Sequence, residues 1–191
     1  MMAACTSLGP DSSTPVPDNY QLALARMDAW SLRGRLNIRT GDASDTININ
    51  WQQAGDAYDI NLSGTLGLGA ARINGNDKGV TIAKAGEEPL SADSLDAITA
   101  DMLGYAFPAR ELLFWIRGLP APGSQANTTR NPEGLVATLS QLDHLGRRWQ
   151  LQYDRYEDNH GYVLPGRIRL EQTPYRLTFV ISNWDIPEPG P

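Results

Sequence analysis

The side chains best suited to nucleophilic catalysis lie in one short stretch, where Ser140, Asp143 and His144 are close in sequence and His160 follows. A serine nucleophile usually needs a tight, strained turn such as Gly-x-Ser-x-Gly, and no such turn surrounds Ser140. Ser140 and His144 instead flank the end of a predicted hairpin, beside Gly146. We therefore interpret both histidines as solvated turn residues, and we predict no catalytic residue and no enzymatic activity.

The remaining polar clusters do not resemble a metal site or a phosphate site. One cysteine and two histidines are too few for a Cys/His metal centre. Two pairs of adjacent carboxylates occur at 87–88 and 157–158, but neighbouring residues of a strand point to opposite faces. The glycines in the segment 64–69 are not followed by Lys-Ser/Thr, which a phosphate-binding loop requires. We predict no metal and no cofactor.

The single cysteine, Cys5, follows Met2-Ala3-Ala4 in a sequence that resembles a bacterial lipobox. A lipobox places small residues before a cysteine that becomes acylated, because only small side chains fit beside the bond that signal peptidase cleaves. Residues 1–4 would then be the remnant of a lipoprotein signal sequence. The charged and apolar segments that normally precede the box are missing, so we expect a truncated or misassigned start. The alternative is an unmodified thiol.

Residues 5–19 form a predicted flexible linker, because Pro, Gly, Ser and Asp dominate and the prolines interrupt any helix. The segment would span roughly 20 Å as a coil and about 50 Å when fully extended. An acylated Cys5 would thus tether a folded domain beside a membrane. The net charge of −6, from 16 basic and 22 acidic residues, disfavours nucleic acid as a partner. No apolar run approaches the roughly 20 residues of a transmembrane helix.

Beyond the linker, the apolar pattern changes from helical to alternating. Residues 20–30 lack Gly and Pro and place apolar side chains on one face, which predicts a helix. Alternation predicts antiparallel strands, which lie around residues 32–38, 47–52, 58–62, 68–73, 80–82, 135–142, 149–153, 163–170 and 177–181. We expect a turn at 74–77 and one short edge strand within the loop 121–134.

Two further helices are predicted between the two groups of strands. Apolar residues recur with helical spacing over 95–103, and a second helix begins near Pro108 and ends at Gly118. The sheet has one apolar face that must be covered, and these helices can cover it. The fold class is therefore α+β, a strongly curved antiparallel sheet with helices packed in its mouth. Residues 187–191 form a predicted flexible tail.

The segment Ser63-Gly64-Thr65-Leu66-Gly67 is unusual for a hairpin tip because it contains one bulky apolar residue. Hairpin tips are normally polar, since they lie in water. Leu66 therefore either folds back into the core or remains exposed for a function. From the residues alone, folding back is the more common outcome.

Four stretches, taken in order, resemble the LolB family of outer-membrane lipoprotein receptors. They are Trp51-Gln52-Gln53, Leu66-Gly67, the run from Leu112 to Pro120, and Leu164-Pro165 followed later by Trp184. The Trp-Ile-x-Gly-Leu-Pro sequence at 115–120 is the most specific of them. The resemblance covers residues 20–186, nearly all of the chain beyond the linker.

The resemblance implies an unclosed antiparallel β-barrel of about eleven strands, with three helices covering a hydrophobic cavity. It implies that a periplasmic LolA-like carrier delivers acylated lipoproteins, which this chain inserts into the inner leaflet of the outer membrane. Cys5 would carry N-acyl and S-diacylglycerol lipids and anchor the protein to the periplasmic face of that membrane. We expect a monomer.

The resemblance also implies site residues. Leu66 occupies the position of an exposed leucine in a membrane-inserting loop, although Thr65 stands where the family usually has proline. We further expect the acyl-chain cavity to be lined by aromatic and aliphatic side chains, namely Trp51, Tyr58, Ile60, Leu62, Trp115, Ile116 and Leu151. Each of these side chains can equally belong to a packed core.

Two other functions remain open at this point. One is a tethered binding or scaffold lipoprotein whose barrel is filled by side chains. The other is an enzyme acting on lipid or peptidoglycan, which would need a titratable cluster inside the cavity. A cavity of hundreds of cubic ångströms would favour the receptor over the scaffold.

Overall fold

The computed structural model describes residues 20–41, 43–64, 70–97, 99 and 107–187. Two helices, α1 (Tyr20–Arg26) and α2 (Ala109–Trp115), and a short helical stretch at 95–97 and 99 lie among them. The strands are β1 (Ala29–Thr40), β2 (Ala43–Ala54), β3 (Ala57–Gly64), β4 (Ala71–Asn76), β5 (Gly79–Lys84), β6 (Leu90–Ala92), β7 (Ala126–Arg130), β8 (Val136–Leu142), β9 (Arg148–Asn159), β10 (Tyr162–Gln172) and β11 (Tyr175–Asp185).

All eleven strands belong to one antiparallel sheet in the order β6-β5-β4-β3-β2-β1-β11-β10-β9-β8-β7. Strands that follow one another in sequence pair, except β6 and β7, and the pairing of β1 with β11 joins the two halves of the chain. Within the described residues β6 and β7 are the two edges and do not pair, so the sheet is unclosed. The predicted curved, unclosed antiparallel sheet of about eleven strands is confirmed.

The first helix is shorter than its sequence pattern indicates. It ends at Arg26, and the predicted continuation to Trp30 is wrong because Ala29 and Trp30 already belong to β1. The Trp30 ring lies 5.1 Å from that of Trp51 and 5.5 Å from that of Trp184. Burying three indoles together stabilises the strand more than helix propensity stabilises another helical turn.

The predicted turn at 74–77 is also displaced. Residues 74–76 belong to β4, and the turn lies at 77–78. Gly75 remains in the strand because the ring of Tyr58 packs directly on its backbone, where a Cβ would collide with it. Of the strand predicted over 68–73, residues 68 and 69 lie outside the described residues. Ala70 is in a bend, and residues 71–73 are in β4.

The second predicted helix agrees with the structure where it is described, and the third begins as predicted but ends at Trp115, before Gly118. Helix α2 follows Pro108, and Gly118 ends the following turn with a φ of +78°. Only 95–97 and 99 of the helix predicted over 95–103 are among the described residues, and they are helical. The short edge strand expected within 121–134 is β7. No helix in the described part of the chain is long and apolar enough to cross a bilayer.

A buried amide ties the segment after α2 to the sheet. Gln141 is fully buried, and its Oε1 accepts hydrogen bonds from Trp115 Nε1 at 2.8 Å and from the Ala121 amide at 2.9 Å. Its Nε2 donates to the carbonyls of Ala121 and Ser124. Because every polar atom of Gln141 is paired, this network fixes where α2 packs against β8.

Arg117 joins the two helices. Its guanidinium donates to the carbonyls of Leu24 and Met27 at 2.9 and 2.7 Å, and its Nε donates to that of Leu113. Burial lowers the pKa of Arg117. The end of α1 is thereby held against the end of α2.

Candidate functional site

A cavity of about 400 Å³ lies against the concave face of the sheet. Strand alternation points every second side chain of β1–β4 towards it. The sheet side of the cavity is lined by apolar residues, which are Leu36, Ile38, Ile47, Ile49, Trp51, Tyr58, Ile60, Leu62, Ile73 and Phe179. The opposite side is formed by residues between 93 and 113, including Leu95, Phe107, Leu112 and Leu113.

Four of the residues expected at the cavity line it, namely Trp51, Tyr58, Ile60 and Leu62. Their placement follows from the alternation in β2 and β3. The amide of Gln53 fixes the Trp51 indole, because its Oε1 accepts the Nε1–H at 3.0 Å. Burial raises the pKa of the Tyr58 hydroxyl, with a further contribution from the charge of Asp96.

The other three expected residues, Trp115, Ile116 and Leu151, belong to the same interior core but are not among the residues that line this cavity. Each is at most 1% exposed, in the packed core. Trp115 packs against Trp149 in a tilted arrangement with ring centroids 5.9 Å apart, and it is held by its hydrogen bond to Gln141. This packing fills the interior beside β8 and β9, so the cavity is confined to the half of the sheet around β1–β4.

Sequence reasoning missed several lining residues. Leu36 and Ile38 were visible as the apolar face of the first strand, and Leu112 and Leu113 as the apolar face of a helix. Periodicity identifies a buried face but does not say whether another side chain or empty space lies opposite it. Cys5 and Leu66 lie outside the described residues.

Charged residues at the cavity are mostly acidic. Asp56 and Asp77 lie at the β2–β3 and β4–β5 turns, and Asp93 and Asp96 lie on the opposite side. Arg110 is the basic residue among the described lining residues. One part of the cavity boundary is therefore negatively charged, whereas the sheet side is apolar.

The prediction that His144 is a solvated turn residue is wrong, because its ring contacts two carboxylates. Its Nδ1 lies 3.1 Å from Glu111 Oε1, and its Nε2 lies 3.5 Å from Asp96 Oδ2. The Glu111 and Asp96 side chains are only 7% and 10% exposed. The contact joins the β8–β9 turn to α2 and to the helical stretch at 95–97 and 99. His160, by contrast, is an exposed turn residue as predicted.

The Asp96–His144–Glu111 cluster connects separate segments of the chain and does not form a catalytic triad with Ser140. Asp96 Oδ1 accepts the Ala109 amide at 3.0 Å, and burial raises the pKa of Asp96. Ser140, the candidate nucleophile, instead accepts a hydrogen bond from Gln150 at 3.1 Å. Among the described residues, no group of three or more His, Cys, Asp or Glu side chains is placed to hold a metal ion.

Comparison with known proteins gives a consistent family result. A family model described as "Outer membrane lipoprotein LolB" matches residues 28–184. The chain is 36% identical over 190 residues to the outer-membrane lipoprotein LolB of Stutzerimonas stutzeri, covering 96% of this chain and 90% of that protein. It is 38% identical over 165 residues to the protein of the same name from Pseudomonas aeruginosa PAO1, covering 86% and 78%.

Solved structures share the fold at low sequence identity. A LolA-superfamily protein from Nitrosomonas europaea has a TM-score of 0.56 at 10% identity, covering 86% of this chain and 89% of that one. An outer-membrane lipoprotein-sorting protein domain from Vibrio parahaemolyticus has a TM-score of 0.53 at 8% identity, covering 87% and 89%. At these identities the likeness shows a common fold alone.

Proposed function

The chain belongs to the LolB family of outer-membrane lipoproteins, a receptor family and not an enzyme family, and from this premise we propose how it acts. It accepts acylated lipoproteins from a LolA-like carrier in the periplasm and inserts them into the inner leaflet of the outer membrane. The observation that carries the proposal is the cavity of about 400 Å³ with an apolar concave wall. A barrel filled by side chains, as a scaffold would have, is disfavoured by the same observation.

The cavity volume can be compared with an acyl chain. If a methylene takes roughly 30 Å³, about the share of one water molecule in the liquid, a space of about 400 Å³ holds about thirteen methylenes. Burying each methylene is worth about 0.8 kcal/mol, so one chain contributes about 10 kcal/mol. Release of the cargo into water would therefore be very slow. The chain must pass directly from the carrier's apolar site into this cavity and then into lipid.

The direction of transfer follows from relative affinity. The sequence contains no nucleotide-binding motif. We therefore assign the driving force for acyl-chain transfer to tighter binding at each step. The cavity binds acyl chains more tightly than the carrier does, and the bilayer holds them more tightly still. The helical stretch at 95–97 and 99 and α2 lie across the cavity from the sheet, and we propose that they form its cover. They must move apart, because a lipoprotein with several acyl chains exceeds the present volume.

The anchor and the insertion loop complete the proposal. Cys5 carries the N-acyl and S-diacylglycerol lipids and holds a monomeric domain at the periplasmic face through the linker 5–19. Leu66, in the connection between β3 and β4, inserts into lipid and contributes about 2 kcal/mol of membrane affinity. An acylated Cys5 would be revealed by mass spectrometry of protein extracted from membranes.

The decisive experiment transfers a lipoprotein from its purified LolA-like carrier to this chain in solution. Acylated cargo is expected to move to the receptor and to displace a hydrophobic fluorophore bound in the cavity. Cargo without acyl chains serves as the control and is expected to do neither. Retention of acylated cargo on the carrier, with the fluorophore undisturbed, would refute the proposed function. An enzymatic alternative predicts loss of activity when the candidate nucleophile Ser140 and the exposed His160 are both replaced, whereas the receptor predicts unchanged delivery.

A further inference from the structure

The outer face of the sheet carries an unusual concentration of positive charge. On β1, β10 and β11, the side chains that alternate with the buried ones include six arginines, which are Arg33, Arg35, Arg39, Arg167, Arg169 and Arg176. We call these six the outer-face patch. The acidic residues on or beside it are Glu171, Asp185 and, on β9, Asp154. This face is positive although the whole chain has a net charge of −6.

The strand register brings the arginines of the outer-face patch close together. Val180 of β11 lies between Arg35 on β1 and Arg167 on β10, and it pairs with both. The backbones of these two arginines are therefore separated by two strand spacings, roughly 10 Å. Arg39 is directly opposite Arg176 on the adjacent strand. The patch is therefore a compact array and not a scatter of surface charges.

Ion pairs neutralise one side of the outer-face patch but not the other. Asp154 pairs with Arg167 at 2.6 Å and with Arg169 at 3.4 Å, and Glu171 pairs with Arg176 at 2.7 Å. Within the described residues, the three arginines of β1 form no ion pair. The uncompensated charge is thus concentrated on the central strand of the sheet.

We propose that the outer-face patch docks the protein electrostatically onto an anionic phospholipid bilayer. Guanidinium groups bind phosphate oxygens in a bidentate manner, and each basic side chain adds to attraction towards an anionic membrane. This proposal rests on the proposed function, in which the chain is tethered to a membrane and a bilayer is therefore close to the domain.

The composition of the face favours a bilayer over a protein partner. Protein interfaces usually depend on a few large aromatic or apolar anchors. The exposed large apolar side chains among the described residues are Leu22, Leu90 and Leu145, which lie on α1, β6 and the β8–β9 turn. The outer-face patch therefore offers charge without an apolar anchor, and charge alone suffices for binding to anionic headgroups.

Vesicle co-sedimentation of the full-length, unlipidated Cys5→Ser chain tests this proposal. We expect binding to phosphatidylethanolamine vesicles that contain phosphatidylglycerol, little binding to phosphatidylethanolamine–phosphatidylcholine vesicles, and weakening as salt rises to about 0.15 M. The triple variant Arg33→Gln, Arg35→Gln, Arg39→Gln should bind anionic vesicles less tightly by about fivefold per arginine.

The matched control removes three exposed basic side chains elsewhere, Arg26→Gln, Lys78→Gln and Arg130→Gln, and should bind nearly as wild type does. Glu171→Gln should strengthen binding to anionic vesicles, because it releases Arg176 from its ion pair. This variant tests the proposal even if the triple variant does not fold. Equal binding to neutral vesicles, or equal loss in the control, would overturn the proposal. So would a patch variant that keeps vesicle binding but no longer binds the carrier, because the face would then dock a protein.

The same variants separate this proposal from the proposed function. Transfer of acylated cargo from the carrier to the patch variant, measured in solution without vesicles, should proceed as in wild type. A wild-type chain that accepts no cargo would end the proposed function, whatever the vesicle result.

Discussion

Filling the cavity with a larger side chain tests whether its empty space binds acyl chains. Leu62 lines the cavity from β3 and is only half-buried, so a larger side chain at this position can extend into the cavity without displacing tightly packed neighbours. Tryptophan exceeds leucine by roughly 60 Å³, about two water volumes. Leu62→Trp therefore removes room for about two methylenes.

The expected loss follows from that volume. Two methylenes at about 0.8 kcal/mol each give about 1.6 kcal/mol, which corresponds to roughly 15-fold weaker binding. The assay is titration of a fluorescent fatty acid into wild-type and variant protein, followed by displacement with an acylated lipoprotein. Asn61→Trp is the matched control, since Asn61 is the neighbouring residue of β3 and is exposed on the outer face. Unchanged affinity in a folded Leu62→Trp protein, or an equal loss in Asn61→Trp, would refute the reasoning.

Three further predictions concern the segments around the cavity. Arg117→Met should lower the free energy of unfolding by about 3–5 kcal/mol in denaturant titrations, because three backbone carbonyls lose their charged donor at about 1–3 kcal/mol each where they are buried; a loss below about 1 kcal/mol would contradict this role. Burial alone would raise the pKa of Asp143, but hydrogen bonds from Arg147 and Trp149 lower it below its ordinary 3.8. The charged Asp143 therefore stabilises the folded protein above that pH, and this stabilisation is lost as the pH falls through the lowered pKa. Asp143→Asn should accordingly cost about 2 kcal/mol at pH 7 and much less at acid pH, and a difference independent of pH would contradict the assignment. Leu66→Glu should abolish delivery to outer-membrane vesicles while leaving transfer from the carrier in solution intact, and undiminished delivery would remove the loop hypothesis.

The strands were predictable because their apolar faces alternate over long stretches. Trp30 is a residue for which this reasoning fails, because its sequence pattern predicts a helix whereas it lies in a strand and packs against two other indoles. Gly75 is a second example, in which the local sequence predicts a turn but the residue lies in a strand. Its sequence neighbours are typical of a turn, but packing under the Tyr58 ring keeps it in the sheet. In both cases contacts between residues distant in sequence outweighed the local preference.

The candidate site was predictable only in part, for a related reason. Trp51 and Trp115 both lie on apolar faces, yet one lines a cavity and the other fills the interior. The difference depends on Gln141 and Trp149, which hold Trp115 in the packed half of the sheet. Likewise, nothing near His144 in sequence indicates that Asp96 and Glu111 meet it. These contacts arise only once the helices pack on the sheet.

The central claim is that acyl chains enter the hollow half of the barrel, and a photocrosslinking amino acid tests it most directly. A benzophenone side chain placed at Ile60 points into the cavity, whereas one placed at Asn61 points out of the sheet. The account predicts crosslinks from position 60 to acylated lipoprotein, none to its unacylated form, and none from position 61. Equal crosslinking from both positions, or crosslinking that does not depend on acylation, would contradict it.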